Sequence, residues 1–225
     1  KTVDIGSGAL KWLNYTLFVP EKLSIDSVGL YPEVFGSLPS LTHRSILLQQ
    51  KAESPVFDMV DISSDTVKTT SITIPSTLYS DALTIGVSHT FAMQNWDNAS
   101  RYVIIKHTYG DKSEWLMLDT QNVNLSKNIS QTFDIAIDKI DFAGTSGNKF
   151  FVISAGDIRK LDLSVETISR VLANNVSDFD VYESNIVIYV AKEALNSDNQ
   201  TIGLYRDGDD NSYTIKTFAN SVGQK

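Results

Sequence analysis

Closely spaced acidic residues are the first feature of this sequence that could do chemistry. The segment Asp207-Gly208-Asp209-Asp210-Asn211 offers clustered oxygen ligands, which suit a hard cation such as calcium. A helix–loop–helix calcium loop also needs glycine at its sixth position and glutamate at its twelfth, whereas this segment has Ser212 and Phe218 there. We therefore predict a hairpin turn, in which aspartate and glycine adopt the tight backbone conformation.

Paired carboxylates could also hydrolyse sugars, because that reaction needs two acids that face each other across the substrate. Several aspartates lie on or near segments predicted to be innermost strands. Asp141 and Asp178 each precede a phenylalanine at matching places in two units, and this repetition favours a structural role, such as a turn hydrogen bond. The acids considered are Asp134, Asp138, Asp141, Asp178 and Asp180.

The histidines give no catalytic or metal-binding signature. His43, His89 and His107 are not spaced along the chain as metal ligands, and His107 is predicted to be a surface residue at the entrance of a turn. The motifs H-x-x-H, H-E-x-x-H and G-x-S-x-G do not occur, and the chain has no cysteine. We therefore expect a protein that is not an enzyme and that uses no metal and no cofactor.

Composition narrows the range of partners. The 225 residues are 42% hydrophobic, which is enough for a substantial core, and 27 acidic against 19 basic residues give a formal net charge of -8. Such a charge argues against nucleic acid and anionic membrane surfaces as partners. No apolar run approaches the roughly 18 residues of a membrane helix.

A hairpin recurs along the chain. Residues 101–105 and 115–119 are apolar segments on either side of a polar turn, and their β-branched and aromatic content is typical of strands. The same order of elements recurs over 44–61, 149–162 and 185–207. In three copies the second segment ends in an aspartate, at Asp61, Asp119 and Asp162, whereas the aspartate of the fourth copy, Asp207, comes one position late.

Further strand-like segments complete each unit. A third segment follows each hairpin, at 67–74, 123–133, 166–172 and 212–218, and another precedes the last three hairpins, at 85–93, 135–142 and 176–182. Four short strands repeating at about 40 to 50 residues are expected of β-propeller blades, and a β-sandwich is the alternative.

We predict an all-β protein with a short N-terminal lead-in strand and linker over residues 1–25 and a β-propeller over 26–225. Its four blades of antiparallel strands are expected at about 26–80, 81–134, 135–174 and 175–225. Propellers typically have four to eight blades. The count leaves open whether the ring is small, incomplete or continued outside this sequence.

The chain resembles PEGA-domain surface proteins of small-genome bacterial lineages, in the region that joins their small β-domain to a β-propeller. The resemblance rests on Trp12-Leu13-Asn14-Tyr15-Thr16 with Val19-Pro20, and on blade openings such as 100–105 and 115–119. It implies an N-terminal membrane anchor, an extracytoplasmic propeller and no established enzymatic activity.

Rigid sheets that hold variable loops suit recognition. We therefore expect a non-catalytic propeller at the cell surface that acts in binding, adhesion or protein–protein interaction, with a surface protein or a glycan as partner and with its anchor outside this sequence. The alternatives are a carbohydrate-active hydrolase that uses paired carboxylates and an intracellular interaction scaffold. The candidate binding residues are predicted to lie in loops: Asn95, Trp96, Asp97, Tyr109, Asp111, Lys112 and Asp198.

Overall fold

Four antiparallel sheets make up the part of the chain that the structure describes. The computed structural model describes residues 31, 33–64, 66–194 and 198–219, and these residues belong to one compact unit that begins at Tyr31. Each sheet has four strands, and these strands lie in the same order across the sheet as along the chain. This organisation confirms the predicted all-β blades. The predicted lead-in over 1–25 lies outside the described residues.

Each blade is a meander. Its first strand is innermost, because the first strands of successive blades contact one another, and its fourth strand is therefore outermost. Blade 1 contains β1 (Gly36–Pro39), β2 (Ser45–Gln49), β3 (Val56–Asp61) and β4 (Lys68–Thr73); blade 2 contains β5 (His89–Trp96), β6 (Tyr102–Tyr109), β7 (Lys112–Asp119) and β8 (Lys127–Asn128); blade 3 contains β9 (Lys139–Phe142), β10 (Lys149–Ser154), β11 (Asp157–Asp162) and β12 (Thr167–Ile168); blade 4 contains β13 (Val176–Tyr182), β14 (Ile186–Lys192), β15 (Gln200–Arg206) and β16 (Tyr213–Phe218).

Apolar side chains fill the space between each blade and the next. Alternate residues of a strand point to opposite faces of its sheet, and the near-continuous apolar runs 103–105 and 150–153 bury both faces of blades 2 and 3. We call the face that packs against the next blade along the chain the outgoing face. On the outgoing face of blade 1, Leu47 and Phe57 share a core with Val103 and Leu116 of blade 2. On that of blade 2, Ile104 and Trp115 share a core with Phe150 and Leu161 of blade 3. On that of blade 3, Phe151 and Ile158 share a core with Val187 and Tyr205 of blade 4.

The recurring aspartate closes the third strand of a blade for a local reason. The carboxylates of Asp61 and Asp162 accept hydrogen bonds of 2.8 and 2.9 Å from the backbone N–H two residues further on, which starts the turn to the fourth strand. In blade 4 the equivalent place is held by Arg206, opposite Ile186, so the late position of Asp207 is a true offset. The closing pairs in the other blades are Asp61 with Ser45, Asp119 with Tyr102 and Asp162 with Lys149.

The fourth strands of blades 2 and 3 are much shorter than predicted. Most of 123–133 is helical: a 3-10 helix spans Val123–Leu125 and α1 spans Ile129–Phe133. The Asn128 side chain accepts a 3.0 Å hydrogen bond from the N–H of Gln131 and so caps α1. Blade 3 keeps only two residues of 166–172 as a strand. The described residues contain no helix that is long and apolar enough to cross a membrane.

Candidate functional site

The turns of a meander alternate between the two ends of a blade. Loops after the first and third strands therefore lie at one end, which we call the mouth end, and loops after the second strand lie at the opposite end. The predicted binding residues are split accordingly, and they do not form one site. Asn95, Trp96 and Asp97 lie at the mouth end, whereas Tyr109, Asp111, Lys112 and Asp198 lie at the opposite end.

The first strands place four residues at equivalent positions near the mouth end. Leu38, Asp141 and Asp180 each pair with the third residue of the following strand. In blade 2 a bulge between Met93 and Trp96 places Gln94 and Asn95 opposite Ile104, the third residue of β6, because a bulge sets two residues of one strand against one residue of its partner. The innermost strands thus present Leu38, Asn95, Asp141 and Asp180 in successive blades.

A cavity of about 430 Å³ opens between these strand ends. One wall is apolar, and the rest carries amide, hydroxyl and carboxylate groups. This combination is typical of ligand sites, in which apolar surface gives contact and a few polar groups orient the ligand. The lining residues used below are Leu38, Pro39, Leu41, Asn95, Asn98, Asp141, Glu183 and Ser184.

Asp141 is the half-buried carboxylate of this cavity. Burial raises its pKa above the ordinary value of 3.8, and this outweighs the hydrogen bonds from the backbone N–H of Phe142, at 2.8 Å, and from the Asn95 side chain, which lower the pKa. Lys139 also lowers the pKa, and the charge of Asp180 raises it. The charged form of Asp141 is therefore incompletely compensated, and a group that neutralises it would be stabilised there.

The rim of the cavity joins loops of three blades. The side-chain amide of Asn98 donates a hydrogen bond to the Ser184 hydroxyl, and the N–H of Gly144 donates a 2.6 Å hydrogen bond to the Ser184 carbonyl oxygen. Ser184 adopts a positive φ of 62°, a conformation that costs energy for a residue with a side chain. The surrounding contacts thus fix the rim in a defined geometry.

Solved structures share this arrangement of sheets. The structure is similar to the putative TolB from Agrobacterium tumefaciens, with a TM-score of 0.50 and 10% sequence identity over 80% of this chain and 64% of that chain. The fold is a β-propeller. The propeller domain of Cps50 (Swd1) from Myceliophteria thermophila matches with a TM-score of 0.47 and 13% identity over 84% of this chain and 60% of that chain. The chain thus spans less than two thirds of either structure, and no family model or curated protein matches it.

Trp96 and Asp97 do not form the exposed loop that the sequence predicts. Trp96 ends β5, is 5% exposed, and its indole Nε1 donates a 3.1 Å hydrogen bond to the Leu38 carbonyl oxygen of the neighbouring blade. Asp97 is 1% exposed, and its carboxylate accepts hydrogen bonds of 2.7 Å from the N–H groups of Arg101 and Tyr102. Both residues build the propeller, and they position Asn95 and Asn98 in the cavity.

The aspartates are not related as the sequence suggests. Asp141 lies opposite Phe151, the third residue of β10. The residue opposite the third residue of β14, Ile188, is Asp180. The equivalent of Asp141 in blade 4 is therefore Asp180, two residues beyond the predicted Asp178. Asp178 and Asp180 lie 2.6 and 3.7 Å from the Lys139 Nζ. Of the other acids considered, Asp134 is the C-cap residue that follows α1, with a φ of 50°, and Asp138 precedes β9.

A histidine network lies buried in blade 2. His107 is 0% exposed, so the predicted surface position is wrong. Its Nδ1 lies 2.9 Å from a carboxylate oxygen of Glu114, and its Nε2 lies 2.9 Å from Nδ1 of His89. An ionised Glu114 only accepts hydrogen bonds, so in neutral His107 the Nδ1 donates and the Nε2 accepts from His89. Ser80, from the connection between blades 1 and 2, donates to Glu114 through its N–H and its hydroxyl.

Strand parity could have found this network. His107 is two residues from Ile105 and four from Val103 on β6, and both of these residues are fully buried, so His107 must point to the same face. Burial would raise the pKa of Glu114, but the hydrogen bonds from His107 and Ser80 outweigh it and lower the pKa from 4.5 to about 2. The network therefore holds a buried carboxylate in its charged form.

The remaining candidates lie apart from the cavity. Tyr109 stacks on His107 with the ring centroids 5.1 Å apart, and Asp111, Lys112 and Asp198 are exposed. The acidic segment that begins at Asp207 forms the predicted turn between β15 and β16, closed by a 3.0 Å hydrogen bond from the Asp209 N–H to the Arg206 carbonyl oxygen. Among the described residues, no three histidine or acidic side chains are grouped so that they could hold a metal ion.

Proposed function

We propose that this β-propeller is a non-catalytic binding module that recognises a surface protein through the mouth cavity. The observation that carries the proposal is the half-buried carboxylate of Asp141, which faces a cavity with one apolar wall. The side chain of a partner lysine or arginine fits this lining. Its aliphatic stem would contact Leu38 and Leu41, and its charged end would reach Asp141.

Charge supports a basic partner group. Asp141 and Glu183 line the cavity, and among the described lining residues there is no lysine or arginine. Burial disfavours the charged form of Asp141, so a cation that pairs with it restores the stabilisation that burial removes. Asn95 and Asn98 can orient the bound group by hydrogen bonds, because an amide both donates and accepts.

Peptide binding tests this proposal. Lysine-containing peptides and the same peptides with acetylated lysines are titrated against the chain and followed by calorimetry. We expect the unmodified peptides to bind and the Asp141→Asn variant to bind at least about ten-fold more weakly, as expected when one partner of a charged contact is removed. Asp111→Asn, at the opposite end, is the matched control. Equal binding by Asp141→Asn, or by the acetylated peptides, would contradict the proposal.

A carbohydrate-active hydrolase is the second candidate, because burial raises the pKa of Asp141 whereas the hydrogen bond from Lys139 lowers the pKa of Asp178, and acids whose pKa values are moved apart can act as acid and base. Chromogenic glycosides distinguish the two. Turnover that disappears in Asp141→Asn or Asp178→Asn would establish catalysis, whereas glycan binding without turnover would identify a glycan as the partner.

The proposed location is outside the membrane, with an N-terminal anchor. The resemblance of 12–16 and of the blade openings to PEGA-domain surface proteins supports it, although 12–16 lies outside the described residues. Sequencing the reading frame on both sides of the codons for Lys1 and Lys225 tests the anchor, and protease treatment of whole cells tests exposure. A frame without a membrane segment would favour the intracellular scaffold.

A further inference from the structure

The outgoing face of blade 4 differs from the other three in its exposure. Leu47, Ile104 and Phe151 occupy the third position of the second strand in blades 1, 2 and 3, and each is 0% exposed. Strand register assigns the same position in blade 4 to Ile188, which is 41% exposed. The position that is buried against the next blade three times is open on the fourth.

This face has the composition of an interface. Ile188 pairs with Leu204, and Val190 pairs with Ile202, so the two central strands present aliphatic side chains in adjacent rows. Ile186 extends the patch towards the mouth end. Contiguous apolar surface of this kind marks an interaction site, and its strand positions continue the series of the three cores already described.

Charges flank the aliphatic patch with opposite signs. Successive strand pairings form one row across the sheet from Asp178 through Val190 and Ile202 to Lys216. Asp180 lies in the next row, on the same edge of the sheet as Asp178. The acidic edge is therefore β13 and the basic edge is β16. The side chains of Asp178 and Asp180 remain 64% and 93% exposed beside Lys139.

We propose that the outgoing face of blade 4 binds the same face of a second copy of this chain, around a two-fold axis parallel to the strands. This axis places β13 of one copy over β16 of the other, so Asp178 and Asp180 of each copy approach Lys216 of its partner. The aliphatic patches meet between them, at the roughly 10 Å separation of packed sheets. A two-fold interface needs one self-complementary surface, and the opposite charges on the two edges supply it.

The size of the face sets the expected strength. Four strands of about seven residues, roughly 4.8 Å apart with a rise of about 3.3 Å per residue, cover about 450 Å² per copy. The total of about 900 Å² is at the low end for specific interfaces. We therefore expect a reversible dimer with a dissociation constant in the micromolar range.

Sedimentation equilibrium across the micromolar range tests the dimer. The chain should pass from monomer to dimer with rising concentration, and Ile188→Lys should weaken association at least about ten-fold because it buries a charge against an apolar patch. Leu83→Lys is the control, since Leu83 is 88% exposed and lies outside this face. Circular dichroism checks that both variants remain folded.

Charge exchange tests the two-fold geometry. Asp180→Lys and Lys216→Asp should each weaken self-association, because each variant opposes like charges across the axis. Mixing the two variants should restore dimers that contain one copy of each. Any of three results would overturn the proposal: a chain that stays monomeric across this range, a dimer unaffected by Ile188→Lys, or a mixture of the two charge variants that does not associate. A monomeric chain would indicate that the face binds a sheet from another source.

Discussion

The indole Nε1 of Trp96 donates a 3.1 Å hydrogen bond to the carbonyl oxygen of Leu38, and this bond joins the first strands of blades 1 and 2. Both residues lie beside the mouth cavity. The contact that holds two blades together therefore also sets the position of the apolar wall relative to Asn95.

Substitution of Trp96 should reveal both roles. Trp96→Phe keeps the aromatic ring but removes the donor, and we expect it to lower the free energy of unfolding by about 1 kcal/mol. Trp96→Ala also leaves a cavity and should cost about 3–5 kcal/mol. Urea denaturation measures both values, and Leu83→Ala is the exposed control. No effect of Trp96→Phe would show that packing alone matters, and equal effects of the two Trp96 variants would show that the hydrogen bond alone does.

The pKa of Glu114 predicts a loss of stability in acid. Hydrogen bonds lower this pKa from 4.5 to about 2 in the folded state, so the stabilisation is fully present above about pH 4.5 and is lost as the pH falls towards 2. The shift corresponds to about 3 kcal/mol. Glu114→Gln should have a lower urea midpoint at pH 7, and its deficit should shrink as the pH is lowered. Glu53→Gln is the exposed control, and a deficit that is independent of pH would contradict the prediction.

Asp141→Asn should increase stability while it removes binding. Burial raises the pKa of Asp141, so the charged carboxylate destabilises the folded state at pH 7 and the neutral amide should raise the urea midpoint. The gain should shrink as the pH falls through this pKa, because the native carboxyl group then becomes protonated. A destabilised Asp141→Asn variant at pH 7 would indicate instead that the carboxylate supports the fold.

The ring of Tyr189 leaves no room for a side chain at Gly203. The two residues face each other across β14 and β15, and a Cβ at position 203 would lie 2.2 Å from the Tyr189 Cζ. Gly203→Ala should therefore cost about 1–3 kcal/mol through overpacking. Gly86→Ala meets no atom within 4 Å but has a φ of +86°, so it reports backbone strain alone. If the double substitution Gly203→Ala with Tyr189→Ala cost as much as the sum of the two single ones, the ring would not be the cause.

Sequence patterns predicted the sheets better than the ends of the blades. The strand β13 coincides with the predicted segment 176–182, because β-branched and aromatic residues alternate with polar ones there. The prediction failed at 123–133, where asparagine side chains cap helical turns. It also gave no first strand for blade 1, since β1 has only four residues and contains glycine and proline.

The candidate site was predicted only in part, because its members come together through tertiary structure. Asn95 lies in the mouth cavity as a member of a bulge, and a bulge has no sequence signature of its own. Asp141 was considered but matched with the wrong residue, because two aspartates two positions apart, Asp178 and Asp180, share one face of β13. The histidine network required strand parity to be applied to His107.

The three cores follow one another in a line, and blade 4 lies at one end of it. Blades 2 and 3 are packed on both faces, whereas the outgoing face of blade 4 is exposed. In a stack where neighbours stabilise one another, the unit with fewer packed faces opens first. The amides of β14 and β15 should therefore exchange with deuterium sooner than those of β6 and β10, and opening should spread from blade 4 into the stack.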